Sequence, residues 1–168
     1  RGLVGSEMCI RDSPYYWAPR YVIKNKACIQ CPKPCGKAFV LKGKYEAMLD
    51  GVEYETLFAL GSNCGVGDIE AVAKANELCD LYGIDTISTG GVIGFVMDLY
   101  ENGLLSKSEM GVDAKFGNGD AMLELIEKIA RREGIGDAMA EGVAAMAAKL
   151  GGDAVKYDVH VGKMEPPE

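Results

Sequence analysis

The sequence lacks any uninterrupted apolar run near the ~20 residues that a bilayer-spanning helix needs, and its start carries no cleavable signal pattern. A soluble, cytoplasmic protein is the expectation. It also lacks a basic surplus: 18 Lys and Arg stand against 25 Asp and Glu, for a formal charge of -7. A phosphate backbone is bound by clustered Lys and Arg, so nucleic acid is excluded as a partner and an acidic enzyme or module is indicated. Histidine is almost absent, and one residue, His160, is too little to carry a catalytic assignment.

Cysteine is not scarce. Six are present, three of them within one short stretch. Without a secretory context they point to metal binding in a reducing compartment more than to disulfides. The 48% hydrophobic content suffices for a core, and 168 residues suit one domain or a piece of something larger.

Both ends are atypical. The opening "RGLVGSEMCIRDS" has no periodicity and no sensible cap, and it resembles translated adapter tails, so residues 1–13, with Cys9, are set aside as non-native. The closing "VGKMEPPE" stops in an extended, Pro-rich segment. The expectation is an internal fragment, with residues 14–168 forming a partial helical domain.

Along the chain, "PYYWAPRYVIKNK" contains two prolines and reads as an extended or irregular lead-in. Residues 38–50 read as irregular structure, with a strand pair around Gly43 as the alternative. A clear helix follows: Asp68 is a good N-cap, Ile69, Val72, Ala75 or Asn76, and Cys79 share one face, and Gly83 supplies a left-handed cap. A second helix is expected from about Thr89 to Asn102. Ser106 and Glu109 stand in capping-box relation. Two more helices are expected to begin at Asp120 and Asp137 and to end at Gly134 and Gly151, before a tail that is a short strand or extended. The fold class is mainly α: an irregular multi-helical domain with loops carrying cofactor ligands and little strand.

Chemistry can sit in three places. "KACIQCPKPCGK" spaces Cys28, Cys31 and Cys35 as C-x2-C-x3-C, so that short loops let three sulfurs converge on one face of an iron-sulfur cluster, with structural zinc as the alternative. A closed site wants a fourth ligand, for which Cys64 is a weak candidate; Cys79, on an apolar helix face, reads as core. In "GVEYETLFALG", Glu53 and Glu55 precede an apolar helical run, where capping a helix dipole is the bland role. In "CDLYGIDTISTGG", Asp80 lies in the last turn of its helix, where the dipole disfavours a carboxylate, and Gly83 lets the chain reverse so that Asp80 and Asp85 face one side. Two acceptors so presented suit an N-H-rich ligand edge such as that of a pterin. A solvated helix end is the plain alternative.

In this order, "KNKACIQCPKPCGK", "GVEYETLFALGSNCGVGD", "ANELCDLYGIDTISTGGVIGFVMDLYENG" and "GNGDAMLELIEKIARREGIGDAMAEGV" resemble the aldehyde ferredoxin oxidoreductase family of tungsten-pterin enzymes, from Tyr21 to Glu168. The resemblance implies that Cys28, Cys31 and Cys35 are three of four ligands to a [4Fe-4S] cluster, the fourth lying later in the family's chain. It implies that Glu55 is an active-site glutamate and that Asp80, Gly83, Ile84 and Asp85 form a pterin-binding motif, with Ile84 where Leu is common. A tungsten or molybdenum bis-pterin, a small aldehyde substrate, ferredoxin as electron acceptor, further domains at both ends and a homo-oligomeric full-length enzyme follow from it too. The implied reaction is oxidation of an aldehyde with water to a carboxylic acid. Carboxylate or aromatic-ring reduction within the family is one alternative, and a non-catalytic iron-sulfur electron carrier is another.

Overall fold

The computed structural model describes residues 14–162 and 164–166, so the tail assignment for residues 1–13 lies outside the described residues. The chain opens with helix α1 (Pro14–Tyr21), then strand β1 (Val22–Lys26), β2 (Gly36–Leu41) and β3 (Ala47–Asp50). These strands form one antiparallel sheet in the order β1-β2-β3, with Lys26 opposite Gly36 and Val40 opposite Met48. A register irregularity lies between Val22 and Lys24.

Two expectations are corrected here. The lead-in is extended, as expected, only over β1, and its first part is helical: Pro14 occupies a first helical position, where its missing N-H costs nothing. Residues 38–50 contain a strand pair rather than a loop, because Phe39, Leu41, Ala47 and Leu49 all turn into the core. Period-two burial over β3, with Ala47 and Leu49 inside and Met48 and Asp50 outside, is the pattern of a half-covered strand.

After the sheet comes a short helix α2 (Tyr54–Thr56) that runs straight into a π-helical turn (Leu57–Ser62). Asn63 N-H donates to the Phe58 carbonyl at 2.9 Å, and Val66 N-H to Gly61 at 2.9 Å, the wide i to i-5 loops of that geometry. Helix α3 (Ile69–Tyr82) begins and ends as its caps dictate: the Asp68 side chain accepts from Glu70 N-H, and Gly83 closes the helix at φ 67, ψ 35. Its buried face, including Val72, Ala75, Asn76 and Cys79, packs on β3 and on α6 (Gly119–Arg131).

Helix α4 (Thr86–Glu101) starts three residues before the expected Thr89, since Asp85 is its N-cap and accepts from Ser88 N-H at 2.7 Å. It is the most deeply buried helix of the fold, with Val92, Ile93, Val96, Met97 and Leu99 inside. The Ser106–Glu109 capping box forms as expected at α5 (Lys107–Met110). Helix α6 is capped by Asn118 rather than Asp120, and it ends at Arg132 in a left-handed conformation, φ 54, rather than at Gly134. The final expected helix is two: α7 (Ile135–Met139) and α8 (Val143–Leu150), separated where Gly142 takes φ 84. A 3-10 turn (Gly152–Tyr157) follows, and Val161 pairs with Met164 in an isolated bridge.

The fold is mainly α with one small sheet. Among the described residues no helix is long and apolar enough to cross a membrane.

Candidate functional site

The three clustered cysteines lie on the loop between β1 and β2, and all three are free and exposed. Cys31 N-H donates to the Cys28 carbonyl at 3.0 Å, which closes a turn with Gln30 at φ 63. A positive φ at the third turn position is the type II arrangement, normally given to Gly or Asn. It brings Cys28 and Cys31 back toward each other on one short loop. Cys31 Sγ lies 3.6 Å from the Lys33 carbonyl oxygen, and Lys37 Nζ donates to the Cys35 carbonyl at 2.9 Å. Among the described residues no three His, Cys, Asp or Glu side chains converge on a point that would hold a metal ion.

Cys64 is not brought to that loop. It is fully buried, its thiol donates to the Ala59 carbonyl at 3.3 Å, and burial pushes its pKa up to about 12. A thiol held neutral in the core is a poor ligand. Cys79 is likewise core, pushed up to about 12 by burial although the Thr89 hydroxyl pulls the other way.

Glu55 sits half-buried in α2, between exposed Tyr54 and buried Thr56. Glu53 is the exposed N-cap of that turn, with extended backbone and no side-chain cap bond. The next residue matters more for placement. Thr56 is buried, and its hydroxyl meets that of Thr86 at 2.8 Å. Thr86 is the first residue of α4, immediately after Asp85. Glu55 and the D-x-x-G-x-D turn are therefore neighbours through a single hydrogen bond between adjoining residues.

At that turn, Asp80 accepts from Asn76 Nδ2 at 2.9 Å and Asp85 from Ser88 N-H at 2.7 Å, each through one carboxylate oxygen. Both aspartates are exposed, and a Cβ on Gly83 would meet nothing within 4 Å. The turn thus presents its carboxylates to open space. Beside it lies a cavity of about 330 Å³ lined by Ile84, Asp85, Ser88, Thr89, Arg132 and Gly142, among others. Arg132 is fixed there: its Nη1 bonds Asp137 at 3.0 Å and Glu141 at 2.7 Å.

Thr56, Thr86, Ser88 and Arg132 were not read as site residues from the sequence. Thr86 and Ser88 follow the motif within three residues and could have been flagged by proximity. Thr56 meets Thr86, and Arg132 reaches the cavity beside Asp85, only through the packing of α2, α4 and the end of α6.

The chain matches the family described as aldehyde ferredoxin oxidoreductase, domains 2 and 3, over residues 11–168. It belongs to the aldehyde ferredoxin oxidoreductase family. Within that family it is 40% identical over 154 residues to the tungsten-containing aldehyde ferredoxin oxidoreductase of Pyrococcus horikoshii, covering 89% of this chain and 25% of that one. The enzyme of the same name from Pyrococcus furiosus is 43% identical over 137 residues, covering 80% of this chain and 22% of the relative. Among solved structures, the active site complex BamBC of benzoyl coenzyme A reductase, bound to 1,5 dienoyl-CoA, superposes with a TM-score of 0.75 at 25% identity. That match covers 88% of this chain and 22% of the other. The chain thus spans about a quarter of the length of the curated relatives it matches.

Proposed function

We propose that this chain is part of a tungsten-dependent oxidoreductase that converts an aldehyde and water to a carboxylic acid, releasing two electrons and two protons. The observation that carries the reading is the Asp80–Asp85 turn opening beside a cavity of mixed apolar and polar lining, with the Glu55 turn one hydrogen bond away. The relatives that share these segments are named as tungsten-containing aldehyde ferredoxin oxidoreductases, which supports the same metal and electron acceptor here.

The donor chemistry fits the groups this requires. Asp80 and Asp85 each keep an oxygen for the N-H edge of a pterin, Gly83 leaves the approach clear, and Cys28, Cys31 and Cys35 supply three thiolates from one exposed loop to a [4Fe-4S] cluster. A tungsten bis-pterin, when bound, would supply two-electron redox chemistry, and a [4Fe-4S] cluster held by Cys28, Cys31 and Cys35 would supply single-electron transfer toward ferredoxin.

The protein's own contribution is orientation and proton handling. Glu55 is half-buried and adjoins the Thr56 anchor, which supports a role in taking the proton of the attacking water at a carboxylate oxygen. The carboxylates of the turn orient the cofactor by accepting hydrogen bonds, which carries no redox role.

In the full-length enzyme, Asp80→Ala should lower pterin occupancy, and full occupancy would count against the turn as a pterin site. Glu55→Gln should keep metal and pterin while losing most turnover. A second reading is reduction of an aromatic ring, favoured by the structural likeness to the BamBC complex. Assay with an aldehyde and with an aromatic acyl thioester, each against a dye as electron partner, separates the two.

A further inference from the structure

We infer that the Thr56–Thr86 hydroxyl pair is a positioning device that locks the Glu55 carboxylate to the Asp85 turn; this rests on the reading of Glu55 and that turn as parts of one site. The two residues are 30 apart in sequence and their hydroxyl oxygens are 2.8 Å apart. Thr56 follows Glu55 directly and Thr86 follows Asp85 directly, so the bond ties together the backbones that carry both carboxylates.

Neither hydroxyl is needed for secondary structure. The N-terminus of α4 is already capped by Asp85, whose carboxylate takes the Ser88 N-H. Helix α2 starts with Glu53 as a cap that makes no side-chain bond, and Thr56 is its last residue. Nor does packing ask for them, since valine has nearly the same shape and brings no polar atom inside. A buried hydroxyl is unfavourable unless it is paired. What the pair adds over two valines is direction: a hydrogen bond fixes distance and angle, whereas apolar contact tolerates sliding.

Helical geometry turns that anchoring into a placement. Successive residues of a helix point roughly 100° apart, so with Thr56 held inward toward Thr86, Glu55 is held at the rim of the same face. The π-helical turn that follows α2 would otherwise leave the rotation of this segment soft, and the Thr56 hydroxyl lies just ahead of it.

The test uses the full-length enzyme with Thr56→Val, Thr86→Val, the double variant, and Thr56→Ser and Thr86→Ser. In cofactor-free protein, hydrogen exchange read by mass spectrometry should speed up in both segments, 53–62 and 84–92, in either valine variant. In loaded enzyme, kcat should fall by about tenfold to a hundredfold, as small misplacements of a reacting group do, with KM little changed and the acidic limb of the kcat–pH profile displaced. The serine variants should restore both readouts, and the double variant should be no worse than either single, since both remove one bond. Independent losses that multiply in the double variant, a failure of serine to rescue, or exchange confined to the mutated segment would overturn the proposal. Glu55→Gln is run in parallel. If it keeps wild-type turnover, the role of Glu55 falls and the positioning role falls with it; if it is inactive while the valine variants match wild type, only the positioning role falls.

Discussion

Gly90 and Ala59 touch backbone to backbone: a Cβ on Gly90 would stand 2.5 Å from the Ala59 carbonyl carbon and oxygen. The contact seats the π-helical turn on α4, and Asn63 Nδ2 reinforces it by donating to the Gly90 carbonyl at 3.0 Å. Glycine inside a helix is unfavourable on its own, so this close approach accounts for its presence. Gly90→Ala should destabilise the fold by about 1–3 kcal/mol, the usual cost of overpacking a tight site. A lowered thermal midpoint would record it, and an unchanged one would mean the two backbones are not in contact.

A second tie joins the sheet to α6. From the β2–β3 connection, Lys44 Nζ, at 2.7 Å, and the Tyr45 hydroxyl, at 2.6 Å, both donate to Asp120, across 76 and 75 residues of chain. Lys44, then Tyr45, hold the Asp120 carboxyl below its ordinary value, and the Tyr100 hydroxyl does the same first for Asp113. A folded-state pKa below the unfolded one gives stability that is present above the unfolded value, near 3.9 for Asp, and lost as pH falls through the folded one. Denaturant midpoints should therefore fall as pH drops below about 4. Asp120→Asn should weaken that dependence; a slope identical to wild type would refute the assignment.

Thiol reactivity should divide the cysteines cleanly. Cys28, Cys31 and Cys35 are exposed, whereas Cys64 and Cys79 are buried with thiols pushed up to about 12. Peptide mapping after brief alkylation of the native, metal-free protein near pH 8 should find the loop cysteines modified and Cys64 and Cys79 intact until denaturant is added. Loading the cluster should then protect all three loop cysteines together. Protection of only one would argue against a shared metal.

Local signals were legible in the sequence and distant pairings were not. Asp68, Gly83, Ser106 and Glu109 could be read because a cap is a bond to a backbone group two to five residues away. The β2–β3 pair was obscured because its register is set by Phe39 facing Leu49 and by burial against α3, neither of which is a near-neighbour effect. The start of α4 was read late because Asp85 was weighed as a ligand acceptor when it also serves as the N-cap. At the site, the D-x-x-G-x-D spacing singled out Asp80, Gly83 and Asp85, and the family resemblance added Glu55 and Ile84, but neither joins Thr56 to Thr86 or brings Arg132 to the cavity beside Asp85. Those relations arise from helix packing across 30 or more residues of chain.

The π-helical turn over Leu57–Ser62 makes chain length itself a constraint. A π turn closes a loop one residue longer than an α turn, so deleting a single residue there would let the segment relax into an ordinary helix and still bury its apolar side chains. The same deletion would swing Glu55 by roughly 100° relative to Asn63 and the Gly90 contact. A one-residue deletion in this stretch would thus yield a protein that folds yet turns the Glu55 carboxylate away from its present direction, so across relatives variation there should favour substitution over changes in length.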